Sequence, residues 1–335
     1  MSSIQVVGHV CVDLTPTLGS TRVAAPGELA GVGPMAISIG GVVGNCGRAF
    51  ADLGVDVSLS ASVGDDELGA MCLRMLQNRH GSAIELTVMP GQTTSYSVVV
   101  SPLGVDRSFW HHTGANDLFV GDCAITARQL IHYGYPSLTP AMCADNGAPI
   151  VRLFTRAHEQ GVATSLDLAF LAANSPLSSL DWEALFRAVL PECDVFCPSW
   201  DDLASCLGVP SDAGAEVVRT WADRFIEWGA AVVLITMGER GSFLTAASTD
   251  RLRALRGCGI DPRSWAGASL WMEPDTLQGV MTTNGAGDTY KAAFLARLVE
   301  GACPHQCLNF AREVVGRHIC GKALISVTPA TQTSD

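Results

Sequence analysis

The sequence predicts an α/β protein whose mostly parallel sheet is covered by helices on both faces. Two observations carry this prediction, and both come from the order of hydrophobic patterns along the chain. Short apolar runs typical of strands lie at residues 4–12, 57–61, 95–100, 162–168, 195–197 and 231–236. Runs with helical periodicity lie at residues 68–78, 150–160, 182–189, 215–228 and 304–321. Because strands and helices alternate, the strands are expected to run parallel, with the helices as crossovers on both faces.

Length and composition favour one cytoplasmic domain. The 335 residues are enough to bury a full core, and no repeat or linker divides them, so residues 1–335 are predicted to form a single domain with only residues 330–335 as a loose tail. Charged residues make up only 16% and the mean hydropathy is +0.26. Even so, no apolar run reaches the roughly 20 residues of a membrane helix, and no basic segment precedes the strand at 4–12. These features predict a cytoplasmic protein without a membrane partner.

Charge and cysteine usage exclude two further classes of function. The net charge is −12 and there is no basic run, which argues against nucleic acid as a partner. The twelve cysteines lack the short paired spacings of a zinc ribbon or a disulfide framework. We therefore expect them to be reduced and mostly buried, with no metal bound.

The most informative segment is residues 282–288, with the sequence TTNGAGD. Apolar residues at helical spacing follow it, so the segment is predicted to begin a helix. Unpaired N–H groups and the helix dipole make such a terminus an anion site, and Asp288 adds a carboxylate able to take a proton from a hydroxyl. The alternative is a tight turn in which Asp288 merely balances the dipole. The combination favours phosphoryl transfer.

A second segment, residues 40–45 with the sequence GGVVGN, begins another helix. Two glycines allow a ligand to lie against main-chain N–H groups, and Asn45 offers a donor and an acceptor that match a vicinal diol. The alternative is that Asn45 is a structural residue of the first helical turn. The segment indicates a site for a polyhydroxyl compound.

Taken together, these segments resemble the ribokinase-like (phosphofructokinase-B) family of carbohydrate and nucleoside kinases. Supporting stretches occur in the family's order at residues 7–13, 62–69, 113–116, 165–167, 198–202 and 235–241. The resemblance implies a three-layer α/β/α fold with a small β lid over the sugar site, from about residues 14–39 and 93–112. Residues 93–110 alternate between apolar and polar, as a half-exposed sheet does.

The resemblance also implies roles for individual residues. Asp288 would be the general base, with an anion hole from Gly285, Ala286 and Gly287. The sugar contacts implied are Asp13, Gly40, Gly41 and Asn45. Further polar residues either contact the substrate or serve as structural polar groups, and both readings stay open for Asn116, Asp167, His111 and His112.

The nucleotide side departs from the family pattern in two places. Thr236, Gly238 and Gly241 match the nucleotide loop, but Ser199 and Asp202 stand where the family has Asn-x-x-Glu. Asp202 keeps a carboxylate, so we expect it to hold Mg²⁺ through water. Thr282 replaces an acidic residue linked to a potassium ion, and activation by a monovalent cation is not expected.

These implications predict an ATP-dependent, Mg²⁺-requiring sugar kinase that works as a homodimer joined through its lid. An exposed apolar lid face is expected on Tyr96, Val98 and Val100. Two alternatives remain. A nucleoside kinase would use Phe109, Trp110 or Phe170 to stack on a base, whereas a catalytically weak sugar-binding sensor would account for Ser199 and Thr282.

Overall fold

The computed structural model describes residues 2–102, 107–255 and 257–327. The tail expected at residues 330–335 lies outside this range. The strands, in chain order, are β1 (Ser2–Gly8), β2 (Cys11–Pro16), β3 (Met35–Gly40), β4 (Val57–Gly64), β5 (Ile84–Met89), β6 (Tyr96–Val100), β7 (Ser108–His112), β8 (Ala127–Gly134), β9 (Ala163–Leu166), β10 (Val195–Phe196), β11 (Val232–Thr236), β12 (Ser242–Ala246) and β13 (Ser269–Met272).

Helices connect most of these strands. In chain order they are α1 (Gly41–Asp52), α2 (Glu67–His80), α3 (Ala144–Glu159), α4 (Trp182–Val189), α5 (Trp200–Leu207), α6 (Ala215–Glu227), α7 (Thr249–Arg253), α8 (Pro262–Trp265), α9 (Ala286–Val299) and α10 (Pro304–Ile319). The helices predicted at 182–189, 215–228 and 304–321 are confirmed to within two residues at each end. In α9 nearly every side chain is buried, because the helix packs against both α1 and α10.

A large sheet forms the centre of the molecule, as predicted. Within the described residues it has nine strands in the order β13-β12-β11-β10-β9-β8-β1-β4-β5. In this spatial order, each pair of neighbouring strands from β11 across to β5 is parallel. At the opposite edge, β12 is antiparallel to both β11 and β13. Its core strands are buried along their full length, which is typical of a sheet covered on both faces.

A smaller sheet has the order β3-β2-β6-β7. The register aligns Ile37, Leu14, Val98 and Trp110 in one row, and a neighbouring row contains Ser38, Asp13, Ser97 and His111. Successive residues of a strand point to opposite faces, so the first row lies on the apolar outer face and the second on the face that carries Asp13. The two segments predicted for the lid therefore do meet in one sheet.

The single strand predicted at residues 4–12 is wrong. The chain leaves the large sheet after Gly8, and Cys11 begins a strand of the small sheet. Gly8 has a φ of +124°, and a Cβ there would lie 1.8 Å from the Gly134 carbonyl oxygen, so only glycine fits this close crossing. Asp13 consequently belongs to the small sheet and does not simply follow a strand of the large one.

The expected exposed face also needs correction. Val100 is buried, and Tyr96 and Val98 are only partly accessible, because β6 lies inside the small sheet. The exposed apolar side chains lie on its edge strands instead: Met35 is 51% exposed, Ile37 41% and Trp110 64%. No helix in the described part of the chain is long and apolar enough to cross a membrane.

Candidate functional site

The carboxyl edge of the large sheet gathers the polar residues. Since the parallel strands all end there, Tyr135 after β8, Asp167 after β9 and Thr236 at the end of β11 lie along one edge. Ligands of open α/β sheets bind at this edge. The helix α9 starts here as well, after Gly285 with a φ of +68°.

Asp288 lies in the first turn of α9 and is 8% exposed. Its Oδ2 accepts a hydrogen bond of 2.9 Å from Asn45 Nδ2, and its Oδ1 accepts one from the Tyr135 hydroxyl. Burial, followed by the nearby charge of Asp288, raises the pKa of Tyr135 well above its usual value, so the phenol stays a donor. The carboxylate is thereby fixed by two other parts of the chain.

No sequence pattern indicated Tyr135, because it follows β8, a strand that the hydrophobic pattern did not reveal.

The predicted contribution of the Ala286 N–H to the anion hole needs a correction. This N–H donates to the Thr283 carbonyl at 3.2 Å, whereas the Gly287 and Asp288 N–H groups have no protein acceptor among the described residues. An anion at this turn would therefore meet the latter two N–H groups.

Asp13 and the diglycine fit tightly together. A Cβ at Gly40 would lie 2.2 Å from Asp13 Oδ2, and one at Gly41, with a φ of +74°, would lie 2.5 Å from His9 Nδ1. Asp13 is 6% exposed, and burial raises its pKa, although hydrogen bonds from Cys11 and Ser97 oppose this. The structure thus places the predicted residues Asp13, Gly40 and Gly41 side by side.

His9, Cys11 and His111 form a cluster beside Asp13. One possible ligand atom from each lies within 4.8 Å of the others, the only such metal-ligand group among the described residues. Burial lowers the pKa of His111 to about 4 and also lowers that of His9, so both imidazoles are neutral at pH 7. Neutral imidazoles can donate and accept hydrogen bonds. No sequence pattern predicts this cluster, because His9 and Cys11 lie just before and at the start of β2, whereas His111 lies on β7, a strand far away in sequence.

The cysteines are free and mostly buried, as predicted. All twelve are free, and nine of them are buried. Burial raises the pKa of Cys46, which lies 3.7 Å from Asp288 Oδ1, well above its usual value. The thiols near the site are therefore protonated and unreactive.

Asn116 and Asp167 are both bonded to other groups of the protein. Asn116 is fully buried; its Nδ2 donates to the Val10 and Thr113 carbonyls, and its Oδ1 accepts from the Val10 N–H. Asp167 is also fully buried and receives two hydrogen bonds from Lys291 Nζ, at 2.7 and 2.8 Å. Neither side chain reaches an open surface in this structure, which favours the structural reading of both; a contact with substrate stays a prediction.

The segments predicted to bind the nucleotide contribute mainly main-chain atoms. Ser199 caps α5 by accepting from the Asp202 N–H at 3.1 Å, and it forms a bridge to Thr236. Gly241 has a φ of +84°, and a Cβ there would lie 2.1 Å from the Met272 carbonyl oxygen. Gly238, with a φ of +55°, has open space around it. These glycines keep the loop after β11 narrow.

Asp202 is half-buried and fits a hard cation. Burial raises its pKa to about 6, with Lys291 opposing. A side-chain hydrogen bond from Ser199 also opposes this rise in pKa. Carboxylate oxygens are ligands that suit Mg²⁺. Thr282, where an acidic residue was expected, instead accepts from the Asn284 N–H at 3.1 Å.

The chain resembles known sugar kinases along nearly its whole length. The model of the pfkB family carbohydrate kinases matches residues 1–323. An uncharacterized sugar kinase of Archaeoglobus fulgidus is 22% identical over 80% of this chain and 92% of its own. A bifunctional ribokinase/ribose-5-phosphate isomerase A of Fructilactobacillus sanfranciscensis is 26% identical over 89% of this chain, which spans about half of that relative.

Solved structures agree with this fold. Ribokinase from Giardia lamblia superposes with a TM-score of 0.70 at 17% identity, covering 95% of this chain and 93% of its own. The Arabidopsis thaliana ribokinase complexed with ribose and ATP gives 0.68 at 18% identity, covering 97% and 96%. The phosphofructokinase-2 of Escherichia coli in complex with fructose-6-phosphate gives 0.68 at 16%, covering 97% and 96%. The chain belongs to the pfkB family of carbohydrate kinases, which are phosphotransferases with alcohol acceptors.

Proposed function

We propose that this protein transfers the γ-phosphate of ATP to a hydroxyl of a small sugar, with Asp288 as the general base. The observation that carries the proposal is the fixed Asp288 carboxylate, which lies in the first turn of α9 beside the N–H groups of Gly287 and Asp288. Phosphoryl transfer needs a positioned base and a site for the phosphate, and here a single turn supplies both. Asn45 and Tyr135 hold the carboxylate so that little reorganisation is needed at the moment of transfer.

The phosphate would be received by the N–H groups of Gly287 and Asp288, with Gly285 shaping the turn. Ala286 contributes backbone geometry, since its N–H is already bonded. Asp202 would hold Mg²⁺ through water. When bound, the ion would neutralise charge on the ATP phosphates. Thr236, Gly238 and Gly241, with Ser199 beside them, would line the nucleotide, because their backbone leaves room for it.

The sugar would lie against Asp13, Gly40, Gly41 and Asn45. Asp13 and Asn45 supply acceptors and donors for hydroxyl groups, and the neutral His9 and His111 extend that polar wall. Gly41 and Asn45 belong to α1, and the other groups belong to the small sheet or the residues beside it. The small sheet would act as a lid that keeps water from the phosphoryl group.

A nucleoside is the second candidate acceptor. Phe109 lies two residues from His111 on β7, so both point to the side of the sheet that carries Asp13. Phe109 is 48% exposed and therefore available to stack on a base. Trp110 points to the opposite face, which removes it from that role.

A panel of small sugars and nucleosides, assayed for ADP formation with ATP and Mg²⁺, tests the proposed function. The same panel in a thermal-shift assay reports binding alone, and a ligand at a hundred times its Kd adds about 2.7 kcal/mol of stability. We expect a sugar to score in both assays. Binding without ADP formation would identify a sensor instead, and a nucleoside as the best acceptor would favour the second candidate.

We also propose that residues 1–335 form one domain that dimerises through the lid. The row Ile37, Leu14, Val98 and Trp110 lies on the face away from Asp13, and its two edge members are exposed. A second copy would cover this apolar surface. Trp110→Glu should give a monomer in light scattering at micromolar concentration, whereas Phe170→Glu, at a similarly exposed aromatic, should not. A wild-type monomer with and without sugar would overturn the dimer.

A further inference from the structure

Lys291 is a buried cation next to the proposed site that the sequence analysis did not identify. It lies three residues after Asp288, so both side chains point to the same face of α9. Only 4% of the lysine side chain is exposed. Its Nζ donates to both oxygens of Asp167, which ends the neighbouring strand β9. Burying an ammonium group this deeply is costly unless the charge is used or compensated.

The Lys291 ammonium group also lies beneath the turn from Gly285 to Asp288, which is proposed to receive the phosphate. Nζ is 4.0 Å from the position that a Cβ would occupy at Gly287, whose N–H is free. Burial alone would lower the pKa of Lys291, but Asp167, then Asp202 and Asp288, raise it above its ordinary value. The side chain is therefore an ammonium ion at any pH at which the enzyme would work.

The surrounding charges show why a cation is needed here. Asp167, Asp202 and Asp288 all act on Lys291, and the other titratable groups facing it are Cys46, Cys197 and His132. Burial, and then the charge of Lys291, lower the pKa of His132 to about 3, so that histidine adds no charge. Three carboxylates and one ammonium leave at most two negative charges, since burial raises the pKa of Asp167 to about 7 and that of Asp202 to about 6. Such a charge suits a single Mg²⁺ ion.

We propose that Lys291 is a positioning residue for phosphoryl transfer, with Asp167 locking its ammonium group beneath the turn of Gly285 to Asp288. The ammonium offsets the negative charge of the carboxylates and favours the additional charge that gathers on the phosphoryl group. This inference rests on the proposed function of Asp288 and its turn. It predicts a loss in kcat, because charge of this kind matters most when the phosphoryl group is in transit.

A double variant separates this role from a merely structural ion pair. Lys291→Met alone leaves Asp167 buried and unpaired and should lower the melting temperature. Asp167→Asn with Lys291→Met removes both charges, so folding should recover. We expect its kcat to stay at least about 100-fold below wild type, the loss typical of removing one electrostatic contact to a transition state. Its sugar KM should remain within about threefold.

A matched control comes from another buried pair. Arg251 Nη1 lies 3.0 Å from Asp194 Oδ1, and that aspartate is fully buried, away from the proposed site. Asp194 also pairs with His158 and accepts from the Thr164 N–H, so Asp194→Asn with Arg251→Met should lower the melting temperature; kcat should stay unchanged. This control shows how far a loss of buried charge by itself affects turnover.

The outcome for Lys291 can be told apart from that of the proposed function. If wild type phosphorylates a sugar and Asp288→Asn does not, the proposed function stands. In that case an Asp167→Asn/Lys291→Met enzyme with the wild-type kcat would overturn the role of Lys291. A folded, sugar-binding double variant with a 100-fold lower kcat would support it.

Discussion

On the base side of the site, Asp288 is held by side chains from α1 and from the loop after β8, and Lys291 and Asp167 lie one turn deeper. On the side proposed for the nucleotide, the loop after β11 presents main-chain atoms and contains two glycines with positive φ, Gly238 and Gly241. The base side therefore depends on the chemistry of particular side chains, whereas the nucleotide side depends on chain geometry. Substitutions should affect the two sides differently, through turnover on one and through folding or nucleotide binding on the other.

The largest effect is expected for Asp288→Asn. Asparagine keeps the size and the contacts with Asn45 and Tyr135 but cannot take a proton, so kcat should fall by roughly 10² to 10⁴. Sugar binding in a thermal-shift assay should persist. An Asp288→Asn enzyme with most of the wild-type kcat would contradict the mechanism, although the fold would stand.

Asp13→Ala should act on binding rather than turnover. The carboxylate would contact the sugar already in the ground state, and a hydrogen bond to a charged group contributes about 1.5–3 kcal/mol. The sugar KM should therefore rise by roughly 10-fold to 150-fold, with the ATP KM nearly unchanged. Steady-state kinetics with each substrate varied in turn would check this. A change confined to the ATP KM would mean that the two sides have been assigned the wrong way round.

Gly241→Ala tests the backbone character of the nucleotide side. Its Cβ would clash with the Met272 carbonyl at a φ that alanine rarely adopts, so stability should fall by about 1–3 kcal/mol. Gly238→Ala is the matched control. Gly238 also has a positive φ but has open space around it, so a smaller loss is expected there. Equal losses in urea denaturation would show that the contact with Met272 does not matter.

The pH dependence of stability reports on the base side. Burial, and then the charge of Lys291, lower the pKa of His132 to about 3, whereas an unfolded histidine titrates near 6.5. Between these values the unfolded chain binds the extra proton, so His132 costs about 1.4 kcal/mol of stability for each pH unit below 6.5. Denaturant unfolding at pH 7 and pH 5 should show a smaller acid loss in His132→Asn than in wild type. An identical loss would contradict the buried neutral state.

The smallest effect is expected for the monovalent cation. Thr282 carries no charge where an acidic residue was expected, and its hydroxyl caps the turn through the Asn284 N–H. Replacing potassium with sodium should change activity by less than about tenfold, or about 1.4 kcal/mol. Strong potassium activation in a coupled assay would show that another group binds the ion.

The sequence by itself determined the fold class, the family and the helix that carries Asp288. These follow from local patterns: periodicity, a glycine turn, and a carboxylate at a fixed distance from it. The ends predicted for the helices at 182–189, 215–228 and 304–321 were accurate because caps and glycines lie within a few residues of the element they end. The helix predicted at 150–160 instead begins at Ala144. Even Asp13, Asn45 and Asp288 could be named, since short glycine-containing segments mark them.

The tertiary structure alone decided which of those residues meet and what each one contacts. Tyr135 and Lys291 carry no local signal, because their partners lie far away in sequence and are brought together only by strand order. For the same reason the sequence left two readings open for Asn116 and Asp167, which the structure buries against the backbone and a lysine. Burial sets the charge state of a polar group, and burial is a property of the packed chain rather than of any segment within it.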